Sequence, residues 1–216
     1  VVVAENVSGL MMGVAKEYVK KIYVAFQKAG YELKIEPYLL DASKMGVPQR
    51  RRRVFFIALR KDLSNQFMEA VDMFQTAPKL DLDFNEKEIY FKYVCDYTDI
   101  KNNLLPSEEK LMPYVLPSDK GLGDVFQRIN KRPGFFSHVF VLENNVCSTL
   151  TAGGGAPILP NLKRHLNNTE IKKIGSYPLD YDFIKNKQRY LVGMSVPPVM
   201  TAQIATEIYN QWLSKI

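Results

Sequence analysis

Val1–Ala4 is an unbroken apolar run, the pattern of a strand buried on both faces. It stops at Glu5-Asn6 and Ser8-Gly9, and from Met12 the period changes. Val14, Tyr18, Ile22 and Phe26 recur at every fourth position, with Ala15 and Val19 widening the stripe, which predicts an amphipathic helix. Gly30 falls where a left-handed C-cap belongs. Tyr31–Leu40 and Arg53–Leu59 (RVFFIAL) read as two further strands, separated by a loop ending in Gly46-Val47-Pro48. A chain that runs strand, helix, strand, loop, strand has to lay its helix on a sheet, so the fold class is α/β.

Charge is distributed unevenly over this frame. Residues 1–60 carry 11 Lys/Arg against 5 Asp/Glu, whereas the remainder of the 216-residue chain balances at 18 against 18. Arg50, Arg51, Arg52 and Arg53 are contiguous. A local basic patch on a neutral body suits either a solvated loop or a polyanionic partner, nucleic acid first. No apolar run reaches the ~18–20 residues of a membrane span, and VVVAENVSGL has neither the basic flank nor the cleavage site of a signal peptide. The chain starts at Val inside an apolar run, which suggests further sequence upstream. Cys95 and Cys147 are isolated, and with His138 and His165 they form no zinc-type spacing, so no metal and a reducing, cytoplasmic setting are expected.

Beyond Lys61 the pattern becomes irregular. Residues 62–145 hold short aromatic stretches (Tyr90, Phe91, Tyr93, Tyr97; Phe135, Phe136) that favour core packing over base stacking. Gly121-Leu122-Gly123 lacks the rest of a dinucleotide fingerprint. Ser148–Gly155 (STLTAGGG) is a glycine-rich loop without the Gly-Lys-Ser/Thr ending of a P-loop. A last helix opens at Pro197-Pro198, with Met200, Ile204, Ile208 and Trp212 as its apolar stripe.

Four of these segments together resemble the DNA cytosine-5 methyltransferases. Glu5-Asn6-Val7 is similar to that family's E-N-V motif. GYELKIEPYLLDASKMGVPQRRRRVFFIA resembles its G-V-P-Q-x-R-x-R block, with Gln49, Arg51 and Arg53 on the Q-x-R-x-R positions. STLTAGGG followed by Arg164, Leu166 and Glu170 resembles the next element, and RYLVGMSVPPVMTAQIA the closing one. The likeness covers roughly residues 1–60 and 147–214; the stretch between matches no motif, as suits a region in which target recognition diverges. Two departures stand out. The closing motif reads Gly193-Met194-Ser195-Val196 where the family has Gly-Asn-Ser-Val, and the family's Pro-Cys-Gln and Phe-x-Gly-x-Gly motifs are not in the chain.

The resemblance implies a partial Rossmann-like S-adenosylmethionine-dependent methyltransferase domain over 1–62, a smaller, irregular target-recognition domain over 63–185, and a return segment with a packing helix over 186–216. It implies double-stranded DNA as partner, S-adenosylmethionine as cofactor with its main binding loop outside this chain, and a missing N-terminal half or complementary subunit. In the implied route a cysteine thiolate adds to cytosine C6, and C5 then takes the methyl group. Glu5 would serve N3 of the base, a role favoured by burial. Arg53 would stabilise charge at O2, and Arg51 would lie on the same side if the segment is extended. Gln49, Arg50 and Arg52, together with Thr151, Gly153, Gly154 and Gly155, would position the DNA or touch its backbone. Arg164 could bind a phosphate or pair with Glu170. Met194, Ser195 and Val196 would touch the cofactor. Cys95 and Cys147 lack the flanking residues of the nucleophile, so the chain is expected to be inactive alone, encoded by a bacterium or phage. A non-catalytic DNA-binding or specificity module is the alternative. A transfer-RNA branch is disfavoured by the lack of a Cys-Phe-Thr element in 62–147.

Overall fold

The computed structural model describes residues 1–34, 36–68, 77–134 and 136–216. In chain order its strands are β1 (Val2–Val7), β2 (Tyr31–Leu33), β3 (Tyr38–Asp41), β4 (Arg52–Arg60), β5 (Ile158–Leu159) and β6 (Arg164–His165). The α-helices are α1 (Lys16–Lys28), α2 (Lys61–Ser64), α3 (Pro106–Glu109), α4 (Leu122–Asn130), α5 (Asn168–Ile174), α6 (Gln188–Met194) and α7 (Pro198–Gln211). The α/β class holds, and the chain divides into two compact units, one of residues 1–41, 51–85 and 201–216, the other of 42–50 and 86–200.

The first unit is organised by β4. Val54–Leu59 is buried at every position, as a continuous apolar run predicts for a strand covered on both faces. β1 pairs antiparallel along one side of β4, with Glu5 opposite Phe55 and Val7 opposite Arg53. β2 and β3 both pair antiparallel with its other side. The single strand expected over Tyr31–Leu40 is thus two short ones along one edge. Pro37, which has no N–H to give a ladder, sits in the interruption, and Ile35 lies outside the described residues. β1 also departs from expectation. Val1, Val3 and Val7 are exposed, although Phe55 and Ile57 on the same face of β4 are buried.

α1 lays Val19, Ile22, Tyr23 and Phe26 on Leu33, Val54, Phe56 and Ala58. Each side chain fully withdrawn from water there stabilises by about 1.5–3 kcal/mol. The stripe is displaced from the one expected, since Val14 and Tyr18 are exposed. A strict step of four overshoots the 3.6-residue turn, and the face that packs runs through 19, 22, 23 and 26. Gly30 has φ +83° and ends the helix as expected. On α7 the predicted stripe is buried throughout, from Met200 to Trp212, and Trp212 meets Phe67 at 6.4 Å between ring centroids.

The second unit has two apolar clusters. Phe91, Leu150, Leu159, Ile174 and Val192 centre one; Leu111, Leu122, Val125, Phe140 and Ile158 centre the other. The aromatics of residues 62–145 divide: Phe91 is fully buried and Phe136 packs on the second cluster, but Tyr90, Tyr93 and Tyr97 are exposed. Phe135 lies outside the described residues. Gly121 is explained by crowding, because a Cβ there would meet the His138 carbonyl oxygen. Among the described residues no helix is long and apolar enough to cross a membrane, and no group of three or more His, Cys, Asp or Glu is placed to hold a metal.

Candidate functional site

Glu5 and Arg53 are brought together by strand register. Residues facing each other across an antiparallel pair share a face, so Glu5 and Arg53 are diagonal neighbours on one side of the sheet. Arg53 Nε lies 2.8 Å from Glu5 Oε1, with the side chains 13% and 30% accessible. Arg53 also donates from Nη1 to the Arg52 carbonyl at 2.8 Å, which holds the guanidinium over the strand. Glu5 is exposed rather than buried, a correction to the burial expected of it.

The arginine run alternates. Gln49 and Arg51 are buried, Arg50 and Arg52 are exposed, and Arg53 is intermediate. In the second unit Gln49 and Arg50 are tied to the start of the glycine-rich segment. Gln49 accepts from the Leu150 N–H at 3.2 Å and donates to the Ile174 carbonyl at 3.3 Å. The Arg50 N–H donates to the Cys147 carbonyl at 2.8 Å, and the Thr149 hydroxyl donates to the Arg50 carbonyl at 2.6 Å. The Arg50 side chain stays mostly in solvent, with Glu88 3.5 Å away.

The glycine loop is held from three directions. Thr151 donates its hydroxyl to the Gly153 carbonyl at 2.7 Å. The Gly155 N–H donates to the Ser137 hydroxyl at 2.7 Å, and Arg189 donates to the Gly154 and Gly155 carbonyls at 3.2 and 3.3 Å. Two of the glycines have distinct physical reasons. Gly154 has φ +80°, which side chains resist, and a Cβ on Gly155 would sit 2.5 Å from the His138 ring. Around Gly153 there is open space. Free backbone approach is thus confined to the Gly153 end, since the Gly155 N–H is already engaged.

For Arg164 the structure selects one of the two readings. It is fully buried, and its guanidinium closes on both carboxylate oxygens of Glu170 at 2.8 Å. It also donates to the Asp96 and His165 carbonyls. Glu170 raises the affinity of Arg164 for its proton and accepts the Asn167 and Asp96 N–H groups as well. Of the two readings open from sequence, the ion pair is the one present; a phosphate contact from this buried group is withdrawn.

The thiols are unsuited to attack. Burial, and then the charge of Glu170, push Cys147 up to about 12, and the same two causes push Cys95 up to about 12. In the Gly193–Val196 segment, Met194 is exposed at the end of α6. The Ser195 hydroxyl donates to the Val192 carbonyl at 3.1 Å, so it is already satisfied within the chain. A Cβ on Gly193 would lie 2.4 Å from the Ala152 nitrogen, so this glycine permits close contact with the glycine loop.

Ser137, His138 and Arg189 escaped the sequence reading. Only Gly193, a glycine closing a helix beside a glycine-rich loop, offered a signal of close approach. His138 Nε2 lies 2.8 Å from one oxygen of the buried Glu108 and His165 Nε2 2.9 Å from the other. That cluster stands directly behind Gly155.

A family model described as C-5 cytosine-specific DNA methylase matches residues 1–210. Type II methyltransferase M.BbvI of Brevibacillus brevis is 26% identical over 213 residues, covering 92% of this chain and 55% of the relative. Type II methyltransferase M.NgoPII of Neisseria gonorrhoeae is 26% identical over 235 residues, covering 95% and 63%. The chain therefore spans less than two-thirds of the length of either relative. Among solved structures, a DNA modification methyltransferase encoded within an E. coli prophage matches with TM-score 0.57 at 20% identity, over 97% of this chain and 68% of that one. The S. pombe Dnmt2 methyltransferase matches with TM-score 0.53 at 13% identity, over 96% and 65%. At these identities the structural likeness establishes a shared fold.

Proposed function

Because the chain belongs to the C-5 cytosine-specific DNA methylase family, we propose that it is the base-handling and DNA-contacting part of a DNA cytosine-5 methyltransferase. The observation that carries this reading is the Glu5–Arg53 contact. N3 and O2 are adjacent on one edge of cytosine, and a carboxyl group and a guanidinium 2.8 Å apart can meet both at once. Addition of a nucleophile at C6 moves charge toward that edge, where Arg53 at O2 and the Glu5 carboxyl group at N3 stabilise it. The base has to leave the duplex to reach such a pair, at a cost of a few kcal/mol.

Other residues take supporting roles in this proposal. Gln49, buried and tied to Leu150 and Ile174, positions the segment that presents Arg50. Arg50 and Arg52, both exposed, meet the DNA backbone, as does the Thr151–Gly155 loop at its Gly153 end. Functionally, residues 1–62 are the catalytic half-domain, 63–185 the recognition domain and 186–216 the return segment. The attacking sulfur comes from another segment or subunit, since Cys95 and Cys147 are held protonated. The principal S-adenosylmethionine cradle comes from there too, and the chain alone is inactive.

The same two thiols favour a second reading, a DNA-binding module with no part in turnover. One experiment separates them. The chain is mixed with a polypeptide carrying the Pro-Cys-Gln and Phe-x-Gly-x-Gly motifs, and labelled methyl transfer to duplex DNA is measured beside covalent trapping of a 5-fluorocytosine duplex. Transfer and trapping by the mixture, with neither by the chain alone, support the enzyme reading. Duplex binding without either favours the module.

A further inference from the structure

Beside the glycine loop the second unit has an open groove of about 580 Å³. Lys185, Lys187 and Arg189 line it together with Asn168 and Asn186, and among the described residues no carboxylate does. Over residues 163–189 there are seven Lys/Arg against three Asp/Glu, although residues 61–216 are balanced as a whole. The acids of this stretch are partly committed elsewhere. Glu170 is closed on Arg164, and Asp182 accepts the Ile184 N–H at 2.6 Å. Arg189 ties the groove to the loop through the Gly154 and Gly155 carbonyls, and Ala152 belongs to both. Lys185 and Lys187 are exposed, at the surface where an incoming anion meets them first.

We propose that this groove is a second backbone-contact site for duplex DNA, in which Lys185 and Lys187 each neutralise a phosphodiester and Asn168 and Asn186 add neutral hydrogen bonds. The proposal rests on the DNA-binding reading above and adds to it a surface that makes no contact with bases. Cations aimed at phosphates contribute affinity and salt dependence but no sequence preference. Arg189, already donating to two carbonyls, sets the position of the loop relative to the lysines.

The test measures anisotropy of a labelled duplex against the full chain across a salt series, for the wild type, for Lys185→Ala/Lys187→Ala, and for Lys20→Ala/Lys21→Ala on α1 as an equal loss of charge elsewhere. The groove variant is expected to bind roughly tenfold or more weakly near 0.1 M salt, with the slope of log K against log salt reduced by about two. The loss should be the same for duplexes of unrelated sequence, and the melting temperature should not move. Equal weakening by the α1 variant, or a slope that the groove variant leaves unchanged, overturns the proposal while leaving DNA binding intact. A wild-type chain that binds no duplex overturns the underlying reading itself.

Discussion

Two arginine–glutamate pairs in this chain lie on segments that resemble the same family, and they have opposite characters. Arg164–Glu170 is fully buried, bidentate at 2.8 Å, and each partner is further engaged by backbone groups. Arg53–Glu5 is a single contact of the same 2.8 Å, with both side chains partly reached by solvent. Charge and distance are alike, so burial and the count of satisfied hydrogen bonds distinguish them. A pair that is buried and tied to backbone groups through both partners is structural; a pair with one side open can exchange a partner for a ligand. The difference separates a residue that holds the second unit together from one proposed to meet the substrate.

Removing one partner of the buried pair should have the largest effect on stability. Glu170→Ala leaves the Arg164 guanidinium buried without its counter-charge, which costs about 3–5 kcal/mol. In a chain of this size that corresponds to a fall in melting temperature of roughly 6–20 °C. Thermal unfolding followed by circular dichroism would read it. A loss below about 1 kcal/mol would mean that the pair is solvated and that the contrast has been drawn in the wrong place.

Gly193 and the glycine loop give a sharper version of the same contrast, because crowding differs between two positions. Gly193→Ala sets a methyl group against the Ala152 and Thr151 backbone, where nothing can rotate away. Overpacking of that kind costs about 1–3 kcal/mol. Gly153→Ala points into open space and should stay within about 0.5 kcal/mol of the parent. Equal penalties at the two sites would show that the loop is fixed by something other than the Gly193 contact.

At the open pair, stability and function should separate. Arg53→Ala is expected to change unfolding free energy by no more than about 1 kcal/mol, as for a solvent-reached ion pair. In the complemented enzyme it should reduce turnover by about 10²–10³, the loss typical of removing a donor to developing charge. DNA affinity should change far less. A matched loss of binding and turnover would reassign Arg53 to phosphate contact.

What the sequence disclosed depended on how local the determinants were. Arg53–Leu59 reads as a buried strand from its composition alone, and β4 is that strand with one residue added at each end. Met200, Ile204, Ile208 and Trp212 identify themselves by spacing. Gly30 follows from the end of a periodic stretch. The partner of Arg164 could not be decided, because its hydrogen bonds extend to Asp96, 68 positions away. The exposure of β1 likewise depends on which layers cover a sheet, a tertiary property that an apolar run does not record. Ser137, His138 and Arg189 hold the glycine loop through contacts with no periodicity behind them.

The smallest effect concerns a third carboxylate contact, and its sign is informative. His138 lies 2.8 Å from Glu108, an arrangement that on charge alone would favour the imidazolium. Burial outweighs that attraction, and His165 and Arg189 add to it, so the proton affinity of His138 is lowered from the ordinary value of 6.5. A histidine lowered on folding binds fewer protons than the unfolded chain does below 6.5. Stability should therefore be at its full value above that pH and decline as pH falls through it, before the acidic range in which Asp96 and Asp99, held below their ordinary 3.8 by hydrogen bonds from Thr98 and Asn167, lose their own contribution. The Arg164–Glu170 pair has no such response near neutrality, because arginine keeps its proton there. Urea unfolding between pH 7.5 and about 5, for the wild type and His138→Gln, measures this directly. The wild type should lose stability toward pH 5 and the variant should lose less. A wild type that gains stability on acidification would show that attraction to Glu108 prevails over burial, and the loop would then rest on an ion pair of the Arg164 kind.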